Sequence, residues 1–168
     1  REQFVQWFDG EHITRSPARF DFEKLNWLNN HYIKASDDAD LARRVLPRLA
    51  SRGVAGAESS AVSLAAVCGL VKDRAATLNE IADLATMFYL EHHVSAEELA
   101  QHLKPEARPA LRGFAQACAG LEWTREAIAA EIKKTVTEHG VKMPVFAIPA
   151  RLLVFGRTQT PAIDAVLA

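Results

Sequence analysis

The run AVSLAAVCGLVKDRAATLNEIADLATMFY, Ala61 to Tyr89, decides how the rest of the chain is read. Ala61 to Val71 is apolar on nearly every side, the pattern of a helix surrounded by protein. It is too short to cross a bilayer, which takes roughly 18 apolar residues. Lys72-Asp73-Arg74 interrupts it. Thr77 then stands where an N-cap belongs, and Leu78, Ile81, Leu84 and Phe88 follow at the spacing of one helical stripe. The stretch therefore reads as two apolar helices joined by a short polar break, the unit of an all-helical bundle.

The same grammar recurs outward from this core. Upstream, Gln3 to Phe8 reads as a short amphipathic helix closed near Gly10, and Arg15 to Arg19 as a turn around Pro17. Phe22 to Ala35 is a helix capped by Asp21, with Phe22, Leu25, Leu28, Tyr32 and Ile33 on one stripe. Phe20, Phe22, Leu25, Trp27 and Leu28 are expected in the core, with Lys24 and Asn26 free for a polyanion. Ser36-Asp37-Asp38 caps a helix carrying Leu41, Val45, Leu46 and Leu49 that ends before Gly53, and GVAGAESS follows as a loop.

Downstream, Ser95-Ala96-Glu97-Glu98 has the form of a capping box and marks a subdomain junction near residue 97. Glu106 to Leu121 and Thr124 to His139 read as an antiparallel helix pair, stopped at Gly140. Pro144, Pro149, Gly156 and Pro161 punctuate the last segment, where Val145 to Ile148 is the one strand-like run. The expected fold class is all-α, in two small helical-bundle subdomains.

The 168 residues are 49% hydrophobic and 24% charged, with net charge −1, which excludes a disordered tail and a disulfide scaffold. A near-neutral chain has no global field to hold nucleic acid, so any such contact must use local patches. Two basic spots stand out: Lys72 with Arg74, and Arg151 with Arg157. Cys68 and Cys118 read as small buried thiols, not as metal ligands. Glu91-His92-His93 reads as an exposed helix end, because adjacent helical histidines point about 100° apart and cannot easily share an ion. No P-loop, GxGxxG or GxSxG pattern is present, so no catalytic residue and no metal site is expected. The chain starts without Met and stops inside a helical pattern, which reads as a fragment of a longer cytoplasmic protein with no membrane segment.

Three stretches, in order, carry a resemblance. PARFDFEKLNWLNNHYI, Pro17 to Ile33, resembles the signature at the junction of the stem-contact and anticodon-binding regions of bacterial glutamyl-tRNA synthetases. VKDRAATLNEIADLATMFY, Val71 to Tyr89, is similar to that family's segment around a basic-x-Arg-Ala pattern. MPVFAIPARLLVFGRTQTPAIDAVL, Met143 to Leu167, is similar to its C-terminal segment, and Trp123 to Ile128 also fits. The resemblance departs at Ala150, where the family usually has Leu.

The resemblance implies a class I synthetase whose N-terminal catalytic domain, with ATP and Mg, lies outside these residues; the fragment itself would carry no cofactor. It implies that residues 1–36 end the stem-contact region, that 37–96 and 97–168 are two anticodon-binding subdomains, and that a monomer binds tRNA(Glu). Arg74 would discriminate the first anticodon base, and Arg151 and Thr160 would contact the others. With Lys72 and Arg157 these complete the expected anticodon-binding set. Unstacked RNA bases are read on their edges by side-chain donors and stack on guanidinium planes, a task Lys cannot copy. The alternative is a helical protein–protein interaction module without an RNA role.

Overall fold

The computed structural model describes residues 2–8, 11 and 19–168. The turn expected around Pro17, and Gly10, lie outside the described residues. Among those described, all regular structure is helical. The helices are α1 (Glu2–Trp7), α2 (Phe22–Ala35), α3 (Asp38–Ala50), α4 (Leu64–Val71), α5 (Leu78–Ala85), α6 (Ala96–His102), α7 (Ala107–Ala117), α8 (Arg125–Glu138), α9 (Met143–Phe155) and α10 (Ile163–Leu167). Single 3-10 turns follow α4 at Lys72–Arg74, α5 at Thr86–Phe88 and α7 at Cys118–Gly120.

Side-chain caps set most of the helix starts. The carboxylate of Asp21 accepts from the Glu23 and Lys24 amides, and that of Asp37 from Ala39 and Asp40. The hydroxyls of Ser63, Thr77, Ser95 and Thr124 each accept from the amide three residues on. Each such bond satisfies one of the donors a helix leaves orphaned at its first turn. Ser63, not Ala61, opens α4, so the buried helix is shorter than the apolar run.

Two apolar clusters form the core. The first gathers Leu41, Val45 and Leu49 of α3, Leu64, Val67, Cys68 and Val71 of α4, and Ile81, Ala82 and Ala85 of α5. The second joins Ala110 and Phe114 of α7, Ile128 and Ile132 of α8, Phe146, Ala147 and Ala150 of α9, and Ile163 of α10. Phe155 and Val166, from the tail, belong to the first cluster. Phe155 meets Phe88 edge-on at 5.8 Å between ring centroids, so the end of α9 is tied to the first bundle.

Three expectations change. Val145–Ile148 is not a strand but part of α9. Pro144 sits in its first turn, where the missing N–H costs nothing, and Gly156 closes it in the left-handed region at φ 62°. Pro149 inside α9 removes one helical bond but is itself buried, so packing outweighs the break. The α2 stripe is not core: Phe22, Leu25, Leu28 and Tyr32 are exposed, as are Phe20 and Trp27, and only Ile33 of the helix is buried. The apolar spacing was real, but α2 turns a different face to the bundle, led by Asn29, Asn30 and Ile33. Glu91–Ser95 is not a helix end but an irregular link, in which His93 is exposed and His92 half-buried.

Candidate nucleic-acid interface

Arg74 ends the 3-10 turn after α4, and the backbone around it is held from both sides. Asn29 Nδ2 donates to the Ala76 carbonyl and Asn30 Nδ2 to the Ala75 carbonyl, each at 2.6 Å. The Glu80 carboxylate accepts from the Ala76 amide at 2.7 Å, while Thr77 Oγ1 accepts from the Glu80 amide at 3.1 Å. The Arg74 side chain is exposed, and the ion pairs and hydrogen bonds among the described residues leave it out. No ion pair among the described residues joins Arg74 to Glu80, whose carboxylate accepts from the Ala76 amide. A charged fork of donors therefore stands on a fixed backbone with its donors unused.

Lys72, two residues earlier, is committed. Its Nζ lies 2.7 Å from Asp38 Oδ1 and 3.2 Å from the Ser36 carbonyl, at the start of α3. It links the α4 turn to the α2–α3 corner and does not project like Arg74.

On α9, Arg151 is half-buried, and its Nε donates to Thr160 Oγ1 at 3.0 Å. Thr160 is 5% exposed and its hydroxyl donates to the Pro161 carbonyl at 2.8 Å. Its oxygen thus orients Arg151 and has little access to a ligand. Burial lowers the Arg151 pKa, the nearby Arg74 charge lowers it further, and Asp164 opposes both. That repulsion shows Arg74 and Arg151 to be electrostatic neighbours, although 77 positions separate them in the chain. Asp164 does not neutralise Arg151 directly: its carboxylate is paired with Arg125 at 2.8 Å, which holds its pKa low. Arg151 borders an open groove of about 480 Å³ with Ile148, Thr158, Gln159 and Asp164 in its walls. An apolar wall beside unmatched guanidinium donors suits a flat, hydrogen-bonding group such as an unstacked base.

Arg157 lies elsewhere. Its Nη2 donates to the Asp83 carbonyl at 2.8 Å and to Thr86 Oγ1 at 3.0 Å, where α5 tightens into its 3-10 turn. The structure thus brings Arg74, Arg151 and Thr160 toward one region and ties Lys72 and Arg157 into the framework. Sequence reading missed Asn29, Asn30, Asp38, Asp83 and Thr86, each of which has a partner distant in the chain. The Asn29-Asn30 pair was the one local signal, since two adjacent side-chain amides offer donors that backbone carbonyls can accept. Among the described residues no three His, Cys, Asp or Glu groups gather as metal ligands, and no helix is long and apolar enough to cross a membrane.

Known proteins resemble this chain over nearly its whole length. A glutamate–tRNA ligase of Bordetella avium is 56% identical over 168 residues, covering 99% of this chain and 35% of the relative. One from Bordetella petrii is 54% identical, covering 100% and 36%. The chain therefore spans about a third of the length of these relatives. The crystal structure of a glutamate tRNA ligase from Elizabethkingia meningosepticum, in complex with its amino acid, superposes with a TM-score of 0.80 at 21% identity. The match covers 98% of this chain and 32% of that one, and its matched part shares the fold of this chain. The profile of the anticodon binding domain matches residues 40–168, which include both arginines, the α9 groove and most of both apolar cores. On that match, the chain belongs to the anticodon binding domain family.

Proposed function

We propose that this chain is the anticodon-reading part of a cytoplasmic, monomeric glutamate–tRNA ligase that recognises tRNA(Glu). Arg74 reads the first anticodon base, and Arg151, held by Thr160, reads another base in the groove beside α9. The supporting observation is that Arg74, unpaired among the described residues, stands on a backbone fixed by Asn29, Asn30 and Glu80, within electrostatic reach of the half-buried Arg151. Two like charges that repel each other, with the nearby Asp164 carboxylate engaged by Arg125, form a ready site for a polyanion with exposed base edges. Relatives named glutamate–tRNA ligase support the substrate class.

We divide the chain at 36 and 96: residues 1–36 end a stem-contact region, 37–96 form one anticodon-binding subdomain and 97–168 a second. The two apolar clusters support this division, with Phe155 and Val166 crossing between them. The chemistry of aminoacylation, with its ATP and Mg, is assigned to the part of the protein outside these residues; the relatives named glutamate–tRNA ligase, of which this chain spans about a third, support that assignment.

The test is binding of the full-length protein to a tRNA with a UUC or CUC anticodon across a salt series. The reading expects an affinity that falls as salt rises and a clear preference over a tRNA with an unrelated anticodon. Equal binding to both would favour the alternative, an interaction module whose exposed apolar α2 face docks another protein.

A further inference from the structure

The two reading arginines sit on different bundles. Arg74 belongs to the turn above the first core, and Arg151 to the helix that caps the second. Reading neighbouring bases of one strand requires their separation to be fixed, since misplacement by about 1 Å is enough to weaken a positioned contact severely. Their own charges repel. Something else must hold them together when no RNA is present.

The contact that does so lies between Arg151 and Thr160 in the chain. Gly156 turns left-handed at φ 62° and packs against His92; a Cβ there would come 2.7 Å from His92 Cβ. His92 in turn places a ring nitrogen 3.1 Å from the Met87 carbonyl, in the turn after α5. Phe155 enters the first core beside Phe88. Arg157 then reaches across 74 positions to the Asp83 carbonyl and across 71 to Thr86 Oγ1. These acceptors lie at the end of α5, where carbonyls lose helical partners and carry the negative end of the helix dipole. The Thr86 hydroxyl also donates to the Asp83 carbonyl at 2.8 Å, so the three groups form a closed set.

We propose that Arg157 is a positioning residue and not a base reader: its bond to the α5 terminus sets the distance between Arg74 on one bundle and the Arg151–Thr160 pair on the other. This rests on the anticodon reading proposed above. Loss of the contact lets the segment carrying Arg151 move relative to Arg74, so recognition weakens at both bases together.

The experiment is aminoacylation by the full-length enzyme, with tRNAs changed singly at each anticodon position, for Arg157→Met, Arg157→Lys, Thr86→Val and the Arg157→Met/Thr86→Val pair. Removal of a charged hydrogen-bond donor should raise KM for tRNA by about tenfold with kcat nearly unchanged. Discrimination should fall at the positions read by Arg74 and by Arg151 alike. Thr86→Val should give a smaller effect of the same pattern, the double variant should be no worse than Arg157→Met, and Arg157→Lys should recover part of the loss. Damage confined to one anticodon position, with Thr86→Val silent, would make Arg157 a base reader and overturn the proposal. A lowered melting temperature with unchanged discrimination would make it merely structural and overturn it equally. Arg74→Gln and Arg151→Gln, run alongside, separate this failure from that of the anticodon reading itself: if neither alters discrimination, it is that reading that fails.

Discussion

Thr160 Oγ1 accepts from Arg151 Nε at 3.0 Å and donates to the Pro161 carbonyl at 2.8 Å, so one buried hydroxyl both orients the guanidinium and closes the turn before α10. Thr160→Val keeps the shape but removes both bonds. A hydrogen bond contributes about 0.5–1.5 kcal/mol, and a buried partner left unmatched costs more. The expected result is a loss of about 1–3 kcal/mol in thermal denaturation, with weaker tRNA recognition. Thr160→Ser should restore most of both.

Gly140 and Gly156 both have φ 62°, but their surroundings differ. A Cβ on Gly140 meets nothing within 4 Å, whereas one on Gly156 would collide with His92. Gly140→Ala should therefore cost only the backbone strain, about 1 kcal/mol, and Gly156→Ala clearly more, about 2–3 kcal/mol. Equal melting temperatures for the two variants would show that the His92 contact yields without cost.

The Cys68 thiol is buried beside Asp38, and its pKa is pushed up to about 11, chiefly by desolvation. Cys118 is only partly buried. At pH 8 a thiol reagent should modify Cys118 well before Cys68, because the thiolate is the reactive form. The linkage has a definite sign. The unfolded thiol ionises near 9 while the folded one keeps its proton, so the stability Cys68 contributes is complete below pH 9 and is lost as pH rises toward 11. Cys68→Ala should flatten that alkaline decline in a denaturation series.

Lys72 bridges Asp38 and the Ser36 carbonyl with its side chain 21% exposed, while Asp38 is 42% exposed. Partial exposure keeps the contribution small: Lys72→Met should lower stability by about 0.5–1 kcal/mol. Its effect on tRNA binding should be a uniform weakening without a change in anticodon preference.

What the sequence made legible was local. Asp21, Thr77, Ser95 and Thr124 announced helix starts because a cap is a contact within three residues, and each is seen. The strand-like Val145–Ile148 misled because β-branched and aromatic residues fit a buried helix equally well, and Pro144 was a first-turn proline. The α2 stripe misled because periodicity shows that a helix has an apolar face, not which side the bundle covers. Arg74 and Arg151 were picked out by their segments, but the Asn29, Asn30 and Glu80 bonds around Arg74, and the reach of Arg157 to α5, were hidden. Contacts across 74 positions leave no mark in local spacing.

The proposed anticodon recognition depends most directly on Arg74, whose guanidinium, unpaired among the described residues, stands on a fixed turn. The decisive measurement is kcat/KM of the full-length enzyme for two tRNAs that differ only at the first anticodon base, for wild type and Arg74→Gln. A good bidentate contact to a base edge discriminates by about 1–3 kcal/mol, a figure taken from DNA recognition. The ratio between the two tRNAs should therefore fall by about tenfold or more in the variant, with the melting temperature nearly unchanged. An unchanged ratio would contradict the assignment of Arg74 as the reader of that base.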